Sequence, residues 1–175
     1  MRPYRVANAV TVTEFGTEER DTLLDQGSLT ERLIAASEKS FAVEVLSQGF
    51  AKPRIDEAMA LKIRPQSQCL IREVKLVVDD VPWVYARSIV PMHSLKGQLG
   101  FLKKLKNSAL GALLFKDPGL KRSEFEIFEG KLSDLVSDLV GLGLQEQSVL
   151  SRRSVFKLKN QPLLVAETFL ADCLL

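Results

Sequence analysis

The feature that most constrains the fold is an arginine inside a run of branched apolar residues. Residues 70–78 read LIREVKLVV and end at the pair Asp79-Asp80, a composition and a boundary typical of a β-strand. Because side chains alternate between the two faces of a strand, Arg72 shares its face with Leu70, Val74, Leu76 and Val78. A guanidinium keeps its proton there, and burying it unpaired would cost several kcal/mol. An anion, from the protein or from a ligand, must therefore reach Arg72.

The same alternation places a single charge on an apolar face of three further predicted strands, at Arg87, Arg152 and Glu167. Four separately buried charges would rival the whole stability of a domain, about 5–15 kcal/mol. We therefore expect them to be grouped, paired or partly solvated. Each one alone also fits a solvated sheet face or a structural ion pair. If all four faced one cavity, three arginines against one glutamate would suit a small dianionic ligand.

The remaining pattern predicts an α+β fold in a single domain over residues 1–175, with a mostly antiparallel sheet and helices on one side of it. Two hairpins are expected, because the turn residues Asp79-Asp80 and Asn160 separate pairs of apolar runs. The predicted strands are 41–49, 69–78, 83–90, 125–128, 149–158 and 163–170, with 6–12 as a strand or an arm. The predicted helices are 17–26 with Thr17 as N-cap, 28–37 with a capping box from Ser28, 98–106, a start within 107–115, and 132–140. Residues 56–63 are predicted to be a connection with about one helical turn.

Composition excludes several classes of function. The net charge of +2 makes no strong case for nucleic acid. No apolar run reaches the length of about 18 residues that a membrane span needs, and the first residues lack an apolar signal core, so we expect a cytoplasmic protein. Cys69 and Cys173 lie too far apart for a metal or redox motif, and His93 is the only histidine. No metal site and no organic cofactor are predicted.

Five stretches, taken in order, resemble the chorismate lyase family. They are SLTER at 28–32, LIREV at 70–74, VPWVYARSIVP at 81–91, LGALLF at 110–115, and SRRS at 151–154 together with PLLVAE at 162–167. No single stretch is decisive, but the ordered set spans roughly residues 20–170 of the 175.

The resemblance implies roles for individual residues. Arg72 would hold the ring carboxylate, the backbone amide of Leu110 would meet the same group, and Glu167 would meet the ring hydroxyl. Leu29 would line the pocket, where the family often carries methionine. Arg72 and Glu167 are the candidate catalytic residues, and Glu167 could assist proton movement.

The resemblance also implies the reaction. Family members eliminate pyruvate from chorismate without a cofactor and leave 4-hydroxybenzoate, the first committed step toward ubiquinone. Arg152 and Arg87 are candidates for holding the enolpyruvyl carboxylate or the leaving enolate. Either a protein base or the methylene of the substrate itself could take the C4 proton. The partners expected for a monomer of this kind are chorismate, 4-hydroxybenzoate and pyruvate, and strong product inhibition is predicted.

A second class of function fits the same fold. Ligand-sensing domains of some transcription regulators resemble it and bind small molecules without chemistry, so an aromatic-acid binding domain is the alternative. Such regulators carry an N-terminal winged-helix domain, and the resemblance here begins near residue 20. We therefore expect the enzyme.

Overall fold

One antiparallel sheet organises the chain. The computed structural model describes residues 4–7, 15–136 and 147–170. The strands are β1 (Arg5–Val6), β2 (Phe41–Ala51), β3 (Cys69–Val78), β4 (Val81–Pro91), β5 (Lys121–Arg122), β6 (Glu126–Lys131), β7 (Ser148–Leu158) and β8 (Gln161–Phe169). Their spatial order is β1-β6-β7-β8-β4-β3-β2, and β5 pairs with β7 beside β6. The predicted antiparallel sheet is confirmed.

Two tight turns hold the hairpins of this sheet. Asp79 and Asp80 have φ of 48° and 67°, and Lys159 and Asn160 have φ of 48° and 66°. A two-residue turn with both φ positive matches the twist of the strands that it joins. The Asp79 carboxylate also accepts three backbone N–H groups of residues 38–40 at 2.8–3.0 Å, which lowers its pKa. The two predicted hairpins, β3-β4 and β7-β8, are therefore present.

The helices are short. They are α1 (Thr17–Leu24), α2 (Leu29–Ala36), α3 (Ile55–Leu61) and α4 (Leu110–Leu114), with 3-10 segments at Ser94–Lys96, Gln98–Lys104 and Leu132–Asp134. In the described part of the chain, no helix is both long and apolar enough to cross a membrane.

Several predicted boundaries need correction. The N-cap of α1 is Gly16 and not Thr17; the Gly16 N–H donates to the Glu19 carboxylate at 2.9 Å. The predicted helix 98–106 is a 3-10 segment. Of the helix predicted at 132–140, the structure describes one 3-10 turn, and residues 137–146 lie outside the described residues. Ser28 does cap α2, accepting the N–H of Glu31 at 3.3 Å.

The two faces of the sheet differ in what covers them. We call the face that carries Arg72, Val74 and Leu76 the site face, and the face that carries Glu73, Tyr85 and Arg87 the back face. α1, α2, α4 and the segment Gln98–Lys104 pack on the site face through buried leucines. α3 packs on the back face, where Leu61 contacts a cluster that includes Ile71 and Leu164. The expectation that all helices lie on one side is therefore corrected for α3.

Candidate active site

Arg72 is buried on the site face and only partly satisfied. Its side chain is 4% exposed, and Nη2 donates to the carbonyl oxygens of Lys106 at 2.7 Å and Ser108 at 3.2 Å. Nε has no hydrogen-bond partner in the described part of the chain. Burial lowers the pKa of this guanidinium, because no carboxylate offsets the loss of water. Two neutral carbonyls leave a net positive charge that an anion would stabilise.

Four of the predicted site residues, Arg72 among them, line one cavity. Leu29, Arg72, Leu110 and Glu167 surround a space of about 40 Å³ on the site face. Leu110 is the first residue of α4, and the backbone amides of a first helical turn have no hydrogen-bond partner inside the helix. Gly111 lets α4 approach α2, because a Cβ at this position would lie 3.1 Å from Thr30 Oγ1. Leu29 supplies an apolar wall.

Glu167 meets Arg152 at the other side of this cavity. Arg152 Nε donates to Glu167 Oε2 at 2.7 Å. Arg152 is fully buried, and its Nη1 donates to the carbonyl oxygens of Thr22 at 2.7 Å and Asp25 at 3.0 Å. Nη2 has no hydrogen-bond partner among the described residues. A second guanidinium with unused donor capacity therefore lies beside the carboxylate of the site.

Arg122 joins this group, and the sequence did not indicate it. Its Nη2 lies 3.9 Å from Glu167 Oε2, and its Nε donates to Ser154 Oγ at 2.8 Å. The guanidinium lies over the rings of Phe125 at 4.1 Å and Phe156 at 4.6 Å, a favourable cation–π arrangement. Burial lowers the pKa of Arg122 to about 10, and the charge of Arg152 acts in the same direction.

The charges that line the cavity or contact Glu167 are unbalanced. Among the described residues they are the guanidinium groups of Arg72, Arg122 and Arg152 and the carboxylate of Glu167. The nearby carboxylate of Asp25 is 3.1 Å from Arg32. An excess of two positive charges results, and it suits a small dianion with two separated carboxylates.

Arg87 does not belong to this group, which corrects the prediction that it could bind the ligand. It lies on the back face, where Nε donates to Glu57 at 2.7 Å and Nη1 donates to Glu73 at 2.9 Å. Burial acts to lower the pKa of Arg87, but its bonds to Glu57 and the charge of Glu73 raise it overall. Its neighbours Ala86 and Ser88 are the β4 residues that line the cavity.

The described residues contain no group of three or more His, Cys, Asp and Glu side chains placed to hold a metal ion. The site offers guanidinium groups, one carboxylate, a helix-start amide and apolar walls. Such a set can bind and orient an anionic ring and can stabilise negative charge that develops on it.

Known proteins resemble this chain along most of its length. A family model described as chorismate lyase matches residues 11–175. A protein of Pseudomonas aeruginosa named "Probable chorismate pyruvate-lyase" is 38% identical over 150 residues, which cover 86% of this chain and 82% of that protein. A protein of Methylococcus capsulatus with the same name is 38% identical over 148 residues, covering 85% of this chain and 91% of that protein.

Solved structures with a similar fold come from transcription regulators. The effector domain of PhnF from Mycobacterium smegmatis has a TM-score of 0.64 and 15% identity, covering 85% of this chain and 91% of that domain. The C-terminal domain of the histidine utilization repressor from Pseudomonas syringae has a TM-score of 0.57 and 13% identity, covering 76% of this chain and 93% of that domain. At this identity the likeness shows the fold alone.

Proposed function

The chain belongs to the chorismate lyase family, and from this premise we propose that it eliminates pyruvate from chorismate and releases 4-hydroxybenzoate, the ring precursor of ubiquinone. The observation that carries the proposal is the excess of two positive charges beside a single carboxylate on the site face. Chorismate is a dianion, with a ring carboxylate and an enolpyruvyl carboxylate, so its charge matches the excess of two positive charges.

Arg72 would bind the ring carboxylate. The guanidinium has unused donor capacity at Nε, and Leu110, whose backbone amide is the second proposed donor, lines the same cavity. A carboxylate that accepts from both would replace the water that Arg72 loses on burial. This contact is made equally to substrate and product, because both carry the ring carboxylate.

Glu167 would accept a hydrogen bond from the C4 hydroxyl. Arg122 and Arg152 would bind the enolpyruvyl carboxylate. Arg152 holds the Glu167 carboxylate in place through the 2.7 Å bond to Oε2. Arg122 approaches the same carboxylate oxygen, with its Nη2 3.9 Å from Glu167 Oε2. A positive charge there stabilises the enolate as it leaves, which lowers the barrier for the elimination.

The bond changes then need little from the protein. The C4–H bond breaks and its electron pair forms a ring double bond, while the C3–O bond breaks and its pair leaves with the enolpyruvyl group. The C4 proton goes to Glu167 or to the methylene carbon of the leaving group, and protonation of that carbon yields pyruvate. Aromatisation of the ring drives the reaction, so orientation and charge stabilisation are the contributions expected of the site.

The alternative, a ligand-binding domain without chemistry, has weaker support. The regulators share the fold at 15% identity or below in the two cases above, whereas the proteins named as lyases are 38% identical. The groups proposed to act all come from one chain and one sheet face, so we further propose that a monomer suffices.

A chorismate assay on the purified protein tests the proposal. We expect 4-hydroxybenzoate, followed by absorbance, and pyruvate, followed with a coupling enzyme, to appear in equal amounts. Loss of an electrostatic contact to the reacting system costs about 100-fold or more in rate, so R72A should lose turnover and E167A should be strongly reduced. R64A, which removes an exposed arginine, is the matched control and should keep wild-type rates. No turnover, together with tight 4-hydroxybenzoate binding that needs Arg72, would support the binding domain instead.

A further inference from the structure

A second and larger cavity lies beside β5 and β7 and is lined mostly by side chains of the back face, with Arg122 and Ser154 contributed from the site face. We call it the basic groove. Its volume of about 750 Å³ falls within the range of about 300–1,000 Å³ that small-molecule sites occupy. The cationic residues among its described lining are Lys62, Lys121, Arg122, Arg153 and Lys157. Of these five residues, only Arg122 has a role in the function proposed above.

Two of the lysines oppose each other directly. Lys121 and Lys157 are Cα partners in the β5-β7 pair, and both are exposed. Neither ammonium lies within an ion-pair distance of any described carboxylate. Like charges directly opposite each other on neighbouring strands destabilise a sheet. An anion bound between the two ammonium groups would turn this repulsion into attraction.

The carboxylates of the groove do not neutralise it. Glu126 accepts from Arg153 Nε at 2.5 Å, and Arg153 also bonds to Asp56. Glu124 is the other described carboxylate in the lining. The walls between the charges include apolar side chains, among them Leu61 and Leu164. Cations on an apolar wall fit a small ring that bears a carboxylate.

Arg122 connects the groove to the active site. It lines the groove and lies 3.9 Å from Glu167. We propose that the basic groove is a second binding site for small cyclic carboxylates, adjoining the active site and using Lys121 and Lys157 to hold the anion. The choice of chorismate and 4-hydroxybenzoate as ligands rests on the proposed function. The expectation that the groove binds an anion rests only on its charge and shape.

A titration with 4-hydroxybenzoate in the R72A background tests this site by itself. NMR shift changes of the backbone amides should saturate at the groove residues, with a weak affinity that falls as salt is added. The neutral analogue 4-hydroxybenzyl alcohol should bind far less. Adding K121E should weaken the residual binding by about tenfold, the effect of about 1.4 kcal/mol. Chorismate, which R72A is expected not to consume, is titrated in parallel to compare the two carboxylates as ligands.

K121E also guards against a trivial loss of structure. It replaces a like-charge pair by an opposite-charge pair with Lys157, so the melting temperature should rise and not fall. K39E, at an exposed lysine outside both cavities, is the matched control and should leave the residual binding unchanged. The inference is overturned if R72A shows no binding at the groove residues, or if K121E leaves that binding intact. A wild-type protein without lyase activity would refute the proposed function, while the titration alone would still decide the groove.

Discussion

At the scale of single residues, the chemistry of the site depends on guanidinium groups that the protein neutralises only in part. Arg122 is the clearest case, because its nearest carboxylate oxygen is 3.9 Å away and its pKa falls to about 10. A folded-state pKa below the usual value means that the unfolded chain binds the proton more tightly. The contribution of Arg122 to the free energy of unfolding therefore rises only above pH 10 and is least favourable at neutral pH.

We therefore expect R122M to stabilise the ligand-free protein while it impairs turnover. Replacing a poorly compensated buried charge by an apolar side chain can add about 1–4 kcal/mol, and each kcal/mol raises Tm by about 2–4 °C in a chain of this size. Thermal unfolding followed by circular dichroism measures the change. R152M is the matched control and should lower Tm, since it strands Glu167 beside the remaining arginine. Equal losses of Tm in both variants would contradict this view of Arg122.

How far single residues could be predicted depended on the length of their strands. Arg72 and Glu167 lie in strands of 10 and 9 residues, which are long enough for the alternation to identify them as charges on apolar faces. Arg122 lies in a strand of 2 residues, too short to show a period. Arg87 shares a strand face with Tyr85, as alternation requires, but alternation within one strand cannot tell which face of the sheet that is. Pairing with β3 and β8 decides it.

At the scale of elements, α3 buries a carboxylate and exposes two of its large apolar side chains. Ile55 and Met59 are 71% and 72% exposed, whereas Glu57 is 4% exposed. Glu57 points at the sheet because Arg87 lies beneath it, 2.7 Å away. Because Ile55 and Met59 face outward while Glu57 lies beside the buried Ala58 and Leu61, the hydrophobic pattern of α3 did not predict a helix packed on the sheet. The hairpins were easier to predict, since their turns carry Asp79, Asp80 and Asn160, residue types that tolerate a positive φ.

Removing the inward carboxylate of α3 should destabilise the fold. E57A leaves Arg87 buried with Glu73 as its remaining partner, and breaking a buried ion pair costs about 3 kcal/mol. Urea unfolding monitored by fluorescence measures the loss. E44A breaks the exposed pair with Lys75 and should cost less than about 1 kcal/mol. Similar losses in the two variants would show that α3 does not depend on this contact.

At the scale of the whole molecule, a closed site lies on one face of the sheet and an open groove lies near the other. The site cavity of about 40 Å³ is well below the size of typical ligand sites, about 300–1,000 Å³. A ring can enter only if α2 or the segment 106–115 moves away from the sheet. Side-chain alternation along the strands does not reveal this closure, because it depends on how α4 and α2 meet at Gly111 and Thr30; only the family resemblance implies a buried site closed by flaps.

We expect the product to inhibit strongly and to stabilise the folded chain. 4-Hydroxybenzoate keeps the ring carboxylate and the hydroxyl, so it retains the contacts proposed for Arg72 and Glu167. A ligand at 100 times its Kd adds about 2.7 kcal/mol to the free energy of unfolding. Initial rates and Tm, each measured against 4-hydroxybenzoate concentration, should give the same Kd. Rates that are indifferent to millimolar product would contradict the assignment of this pocket.

The central claim is that one guanidinium serves the ring carboxylate and others serve the enolpyruvyl carboxylate. The most direct measurement compares the Kd of 4-hydroxybenzoate and the KM of chorismate in R72Q and R122Q. Loss of a charged contact costs about 1.5–3 kcal/mol, so R72Q should weaken both ligands by more than tenfold. R122Q should weaken chorismate alone, because the product has no second carboxylate. If R122Q weakens 4-hydroxybenzoate as much as chorismate, or affects neither, the division of roles is wrong.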